Sequence, residues 1–160
     1  MEIRLAKQED IPTITELLGQ IARLHIEARP EIFLEREGKY SEEEQKALLT
    51  DPIRPVYVAV EEGRVLGYAF CVYKEIRNHH TLKDRKCLYI DDLCVDEACR
   101  GKGVGSALYA YVRQLAKERG CDNVELNVWA FNTSAIRFYE KCGMKVQRMQ
   151  MESEYLQNSR

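Results

Sequence analysis

The stretch Val95-Asp96-Glu97-Ala98-Cys99-Arg100-Gly101-Lys102-Gly103-Val104-Gly105-Ser106-Ala107-Leu108 decides how this chain is read. An apolar, β-rich run from Cys87 to Val95 leads into it, and Val104, Leu108, Val112 and Leu115 come after at helical spacing. The segment is therefore a strand, a turn and a helix that ends near Gly120. Gly101, Gly103 and Gly105 stand at alternate positions of the turn. Lacking Cβ atoms, they let successive backbone N–H groups converge on an anion, and the helix N-terminus adds its partial positive charge. The pattern reads as a phosphate cradle. It is not a Walker A loop, because no Lys-Ser/Thr follows the last glycine, and it does not spell the G-x-G-x-x-G of a dinucleotide site. A glycine-rich turn that merely lets a helix pack closely on a strand would look the same taken alone.

On its N-terminal side, Glu2 to Leu5 alternates as a short strand. Asp10 is placed to cap a helix carrying Ile14, Leu17, Leu18, Ile21 and Leu24, and Ser41-Glu42-Glu43-Glu44 is a capping box for a short second helix through Leu48. Val56 to Val60 and Val65 to Tyr73 are strands joined by the turn Glu61-Glu62-Gly63-Arg64, and a polar loop from Ile76 to Lys86 precedes Cys87. On the C-terminal side, Val124, Leu126 and Val128 form a strand. Asn132-Thr133-Ser134 opens a helix with Ile136, Phe138 and Tyr139 that stops at Gly143, and Met144 to Met151 reads as a final strand. The order β-α-α-β-β-β-α-β-α-β predicts an α+β fold of three layers (αβα), a mixed, largely antiparallel twisted sheet flanked by helices.

The 160 residues suit a single domain, 1–160, with 45% hydrophobic and 31% charged residues. A net charge of -2 lacks the basic excess of a nucleic-acid binder. No apolar run approaches a bilayer span and no leader precedes the first strand, so no membrane partner is expected and the location read from the sequence is cytoplasmic. The six cysteines form no C-x-x-C pair and read as reduced thiols. Cys94, Cys99, His79 and His80 lack zinc-like spacing, and no metal is expected.

Joined to the residues downstream of it, the glycine turn becomes specific. Arg100-x-x-Gly103-x-Gly105 after a strand, then a helix, a strand and Asn132-x-x-Ala135-x-x-Phe138-Tyr139-x-x-x-Gly143-Met144, resembles the GCN5-related N-acetyltransferase (GNAT) superfamily. The motifs cover about the last 75 residues and the element order the whole chain. The resemblance implies the acyl-CoA N-acyltransferase fold and an enzyme that uses acetyl-CoA, without metal, to acetylate a primary amine of a small molecule or peptide. It implies that Arg100, Gly101, Lys102, Gly103, Val104, Gly105 and Ser106 hold the pyrophosphate, and that Asn132 and Ala135 lie beside the pantetheine arm. Main-chain groups of Leu93, Cys94 and Val95 would bind that arm and the thioester oxygen where two strands splay apart. Tyr139 occupies the position of the tyrosine that protonates the departing sulfur, and also contacts the cofactor. A core tyrosine and a helix N-cap are the ordinary alternatives for Tyr139 and Asn132.

For the base, Asp91 and Asp92 stand just before the oxyanion segment. In a regular strand they face opposite sides, so one at most enters a given cleft. Asp91 shares parity with Leu93 and matches the acidic residue that polyamine-type acetyltransferases, which this stretch also resembles, set against the acceptor amine. Asp91 is therefore the expected catalytic residue, with Asp92 beside it in acceptor binding, unless a bulge swaps the faces. Both could instead serve ion pairs or caps. Before the hairpin, Glu27, Glu31, Glu35, Glu37, Glu42, Glu43, Glu44 and Asp51 outnumber Arg29, Arg36, Lys39 and Lys46, a field that would draw in a cationic amine. The expected partners are acetyl-CoA and an amine acceptor, and the reading leaves room for a homodimer. The alternative function is a non-catalytic acyl-CoA-binding sensor or interaction module.

Overall fold

The computed structural model describes residues 1–36 and 38–154. Glu37, one of the acidic residues before the hairpin, lies outside them. Two compact units divide at residue 127. The first, Met1–Asn127, contains β1 (Glu2–Leu5), α1 (Ile11–Ala28), α2 (Glu42–Leu48), β2 (Val56–Glu61), β3 (Arg64–Ile76), β4 (Arg85–Val95), α3 (Val104–Glu118) and β5 (Asn123–Leu126). The second, from Val128 on, contains α4 (Thr133–Lys141).

The sheet runs β1-β2-β3-β4-β5. Its first four strands are antiparallel, and β5 joins β4 in parallel because α3 carries the chain back between them. The β2–β3 turn has Glu62 at φ 49° and Gly63 at φ 76°, the two left-handed residues that a tight hairpin matched to sheet twist requires. Side chains alternate across the sheet. Val56, Val58, Tyr68, Phe70 and Cys94 meet Ile14, Leu17 and Leu18 of α1 and Leu48 of α2 in one buried cluster. The opposite face, bearing Tyr57, Ala59, Gly67 and Cys71, lies under α3, with Tyr57 edge-on to Tyr111 at 5.2 Å. This is the expected three-layer α+β architecture.

A Cβ on Gly67 would come 2.7 Å from the Cys94 carbonyl oxygen and 3.3 Å from Leu108 Cδ1, so β3, β4 and α3 meet closely only because that residue has no side chain. Among the described residues no helix is long and apolar enough to cross a membrane.

Several boundaries differ from expectation. Asp10 gives α1 no side-chain cap. Its carboxylate instead accepts from Arg4 at 2.7 and 3.0 Å and from the Lys7 N–H at 2.7 Å, because a guanidinium ion pair is a stronger partner than a helix N–H. β3 reaches Ile76 and β4 begins at Arg85, so the polar loop between them is shorter than read. β5 ends at Leu126, before Val128. The final strand predicted over Met144 to Met151 does not form: these residues have neither helix nor strand structure. Their apolar positions change parity, Met144 and Val146 on one side and Met149 and Met151 on the other, so no single face stays apolar.

Candidate active site

β4 is paired with β3 along its whole length but with β5 only from Cys87 to Ile90. Beyond Ile90, no strand among the described residues pairs with its other edge. The Asp96 N–H donates to the Leu66 carbonyl at 2.8 Å, which fixes the alternation: the Cys94 peptide faces β3, while the peptide groups of Leu93 and Val95 face the open edge. The Val95 carbonyl there accepts from Arg100 Nε at 3.4 Å. Of the three residues expected to offer main-chain groups, two present them on the open side. The buried Cys94 thiol points under α1, 3.7 Å from the Leu17 carbonyl, and burial followed by the Asp92 charge pushes its pKa up to about 12.

The carboxylates stand where β4 breaks register. Phe70 pairs with Asp92 and Cys71 with Ile90, so Asp91 is an extra residue with no partner on β3. Ile90 thus shares the α3 face with Cys71, whereas Cys94 lies on the α1 face, which an unbroken strand would forbid. Simple alternation therefore does not set Asp91 and Asp92 on opposite faces, and the bulge that the sequence reading left open is present. The Tyr40 hydroxyl donates to Asp91 Oδ2, and the Tyr68 hydroxyl donates to Asp92 Oδ2 at 3.0 Å. Tyr40 stacks on Phe70 at 4.9 Å and Phe70 meets Tyr68 edge-on at 5.0 Å, so both acids sit at the rim of one aromatic row on the α1 side.

Lys39 closes the cluster, its Nζ 3.1 Å from Asp91 Oδ1 and 3.0 Å from the Asp91 carbonyl oxygen. Burial pushes the Asp92 carboxyl up to about 6, against the Lys39 charge, the Tyr68 hydroxyl and the Leu93 N–H, which favour its ionised form. The Tyr40 and Tyr68 hydroxyls are pushed well up, first by burial and then by the neighbouring aspartates, and so remain donors. The segment bearing Lys39 and Tyr40 is held by buried Gln45, whose Nε2 donates to Thr15 Oγ1 at 2.8 Å and to the Tyr40 carbonyl at 3.4 Å. Beside it lies a cleft of about 270 Å³ lined by Tyr40, Glu44, Ala47, Leu48 and Arg54. Sequence reasoning passed over Tyr40 and Tyr68 and counted Lys39 only as a charge.

At the end of β4 the glycine turn has the cradle form. Gly101 and Gly103 are left-handed, at φ 76° and 82°, and a Cβ on either would meet nothing within 4 Å. Gly103 precedes α3 without any side-chain cap, and the first helical bond is from the Ala107 N–H to the Gly103 carbonyl at 3.0 Å. The N–H groups of Val104, Gly105 and Ser106 in the first turn of α3 therefore have no side-chain cap, and a helix start of this kind favours an anion. The arrangement fits a pyrophosphate.

In the second unit, Asn132 Oδ1 accepts from the Ala135 N–H at 3.2 Å and from Ser134 Oγ at 3.3 Å, so Asn132 is the N-cap of α4. Asn132, Ala135 and Tyr139 share one side of that helix by their spacing, and the Tyr139 ring meets Phe138 edge-on at 5.0 Å.

Comparison with known proteins agrees with this chemistry. Residues 18–144 match the model of the acetyltransferase (GNAT) family. The chain is 27% identical over 151 residues to glucosamine 6-phosphate N-acetyltransferase of Trypanosoma brucei brucei, spanning 94% of this chain and 93% of that protein. It is 30% identical over 79 residues to thialysine N-epsilon-acetyltransferase of Bos taurus, spanning 49% of this chain and 44% of the relative. Among solved structures, a mutant of the BH1408 protein from Bacillus halodurans superposes with a TM-score of 0.94 at 31% identity, over 98% of this chain and 100% of that one. This kinship defines an N-acetyltransferase dependent on acetyl-CoA. The chain belongs to the GNAT family.

Proposed function

We propose that this enzyme transfers the acetyl group directly to a primary amine of a compact, cationic acceptor, within one catalytic domain over residues 1–160. The observation that carries the reading is the bulge at Asp91, which sets two carboxylates side by side next to an open strand edge. In this reading Asp91, at the surface of the pair, binds the acceptor ammonium. Asp92, with a carboxyl pushed up to about 6, accepts its proton at neutral pH. The Leu93 and Val95 peptide groups orient the thioester, the turn from Arg100 to Ser106 takes the pyrophosphate, and Tyr139 protonates the leaving sulfur. The trypanosomal and bovine relatives act, by their names, on amines of small molecules, which favours a small acceptor over a protein.

Release of free CoA thiol over a panel of diamines, basic amino acids and amino sugars tests this directly. Turnover confined to amines with a free primary ammonium is the expected result. A folded preparation that binds acetyl-CoA and releases no thiol with any amine overturns the reading and leaves a sensor.

A further inference from the structure

Lys39 carries a primary amine on a flexible stem, and that amine rests where the proposed acceptor amine belongs. Its Nζ is bound to both the side chain and the main-chain oxygen of Asp91, at 3.1 and 3.0 Å. The next residue along β4 is Asp92, and one further on is Leu93, whose peptide faces the open strand edge. The Lys39 side chain is 48% exposed, against 19% for Asp91, so solvent rather than packing surrounds much of the stem. The Lys39 backbone adjoins Tyr40, which is anchored to Asp91, Phe70 and Gln45. A surface ammonium gains little from a single exposed ion pair. One tethered beside an acyl-transfer site gains the effective concentration of an intramolecular nucleophile.

We propose that Lys39 is an internal acceptor: without an external amine, the chain acetylates its own Lys39 Nζ, and the modified side chain releases the Asp91 carboxylate. The inference rests on the amine-transfer reading of the site. The Lys39 ammonium gives a proton to Asp92, and the neutral nitrogen attacks the thioester carbonyl carbon. An N–C bond forms, the C–S bond breaks, and the sulfur leaves with the bonding pair and takes up a proton. Ammonium and thioester become acetamide, thiol and one free proton, with no change of oxidation state. Acetylated Lys39 has no charge with which to hold Asp91 Oδ1, so an external ammonium meets a carboxylate held only by Tyr40 at Oδ2.

The test is peptide mass mapping of the full-length protein incubated with acetyl-CoA alone, with Lys83, Lys117 and Lys145 as chemical background. Lys39 is expected to be labelled at least about tenfold faster than those three, in keeping with a tethered nucleophile, at a rate independent of protein concentration. Lys39→Arg abolishes that label, and Asp92→Asn slows it. A rate that rises with protein concentration places the transfer between molecules and overturns the internal acceptor. A preparation that releases CoA with added amines yet labels Lys39 at background overturns self-acetylation and leaves the transferase reading standing. One inert to every amine and to Lys39 alike overturns both.

Discussion

Tyr40 and Asp91, 51 residues apart in the chain, are joined hydroxyl to carboxylate, and this bond fastens the segment before α2 to the irregular centre of β4. Tyr40→Phe keeps the ring on Phe70 and removes only the donor. Hydrogen bonds to charged groups contribute about 1.5 to 3 kcal/mol, and partial exposure here puts the expected loss near the lower figure. Urea unfolding reads it, and an unchanged midpoint would mean that Lys39 alone satisfies Asp91.

Asp92 supplies a pH signature of known sign. Its folded carboxyl holds a proton up to about 6, held there by burial, while an unfolded aspartate releases its proton near about 3.9. The unfolded state therefore binds fewer protons between these values. Stability should fall as pH rises through that window and level off above it, by at most about 3 kcal/mol. Activity should climb through the same window as the base ionises, with Lys39, Asp91, Tyr68 and the Leu93 N–H setting the midpoint. Asp92→Asn should lose both the stability slope and the acid limb of kcat/KM. If Asp91→Asn removes that limb and Asp92→Asn keeps it, the base is Asp91.

Gly103→Val forces a β-branched residue into a left-handed conformation, at a cost of at least about 1 to 2 kcal/mol. Nothing lies within 4 Å of its Cβ, so the core is spared and the turn must change shape. Calorimetry should show acetyl-CoA affinity falling at least about tenfold, since the backbone donors no longer converge. A folded variant with unchanged affinity would remove the pyrophosphate from this turn.

Tyr139→Phe should lower kcat toward the low end of the range for general acid catalysis, about 10²-fold, because a thiolate is a fair leaving group already. KM for acetyl-CoA should hardly move. Wild-type kcat, with single-turnover kinetics showing that chemistry limits the rate, returns Tyr139 to a packing role.

The turn from Arg100 to Ser106 was legible because its chemistry is local: glycine spacing and a helix start are written in adjacent residues. The sheet order followed from strand alternation and the hairpin at Gly63 in the same way. The bulge left no such mark. Alternation in Tyr89-Ile90-Asp91-Asp92-Leu93 is compatible with an extra residue at several positions, and only packing of Cys94 under α1 and Cys71 under α3 selects Asp91. Tyr40 and Tyr68 escaped notice, and Lys39 was counted only as a charge, because their partners lie 24 to 52 residues away and nothing near them in sequence announces an acid. Met144 to Met151 misled by composition, since β-prone residues whose apolar parity reverses midway offer no continuous face to bury.

The extra residue in β4 also divides the strand into two reading frames. Leu88 and Ile90 are counted in one, Asp92 and Cys94 in the other, and each half is locked to its own layer of helices. Because Asp91 is the residue in excess, deleting it would leave Cys71 opposite Ile90 and Phe70 opposite Asp92 in an unbroken ladder, and every other side chain of β4 would keep its layer. One of the paired acids can therefore be lost by shortening the strand without dismantling the sheet. An inactive descendant of this protein should betray itself either by a β4 one residue shorter or in the letters at 91 and 92.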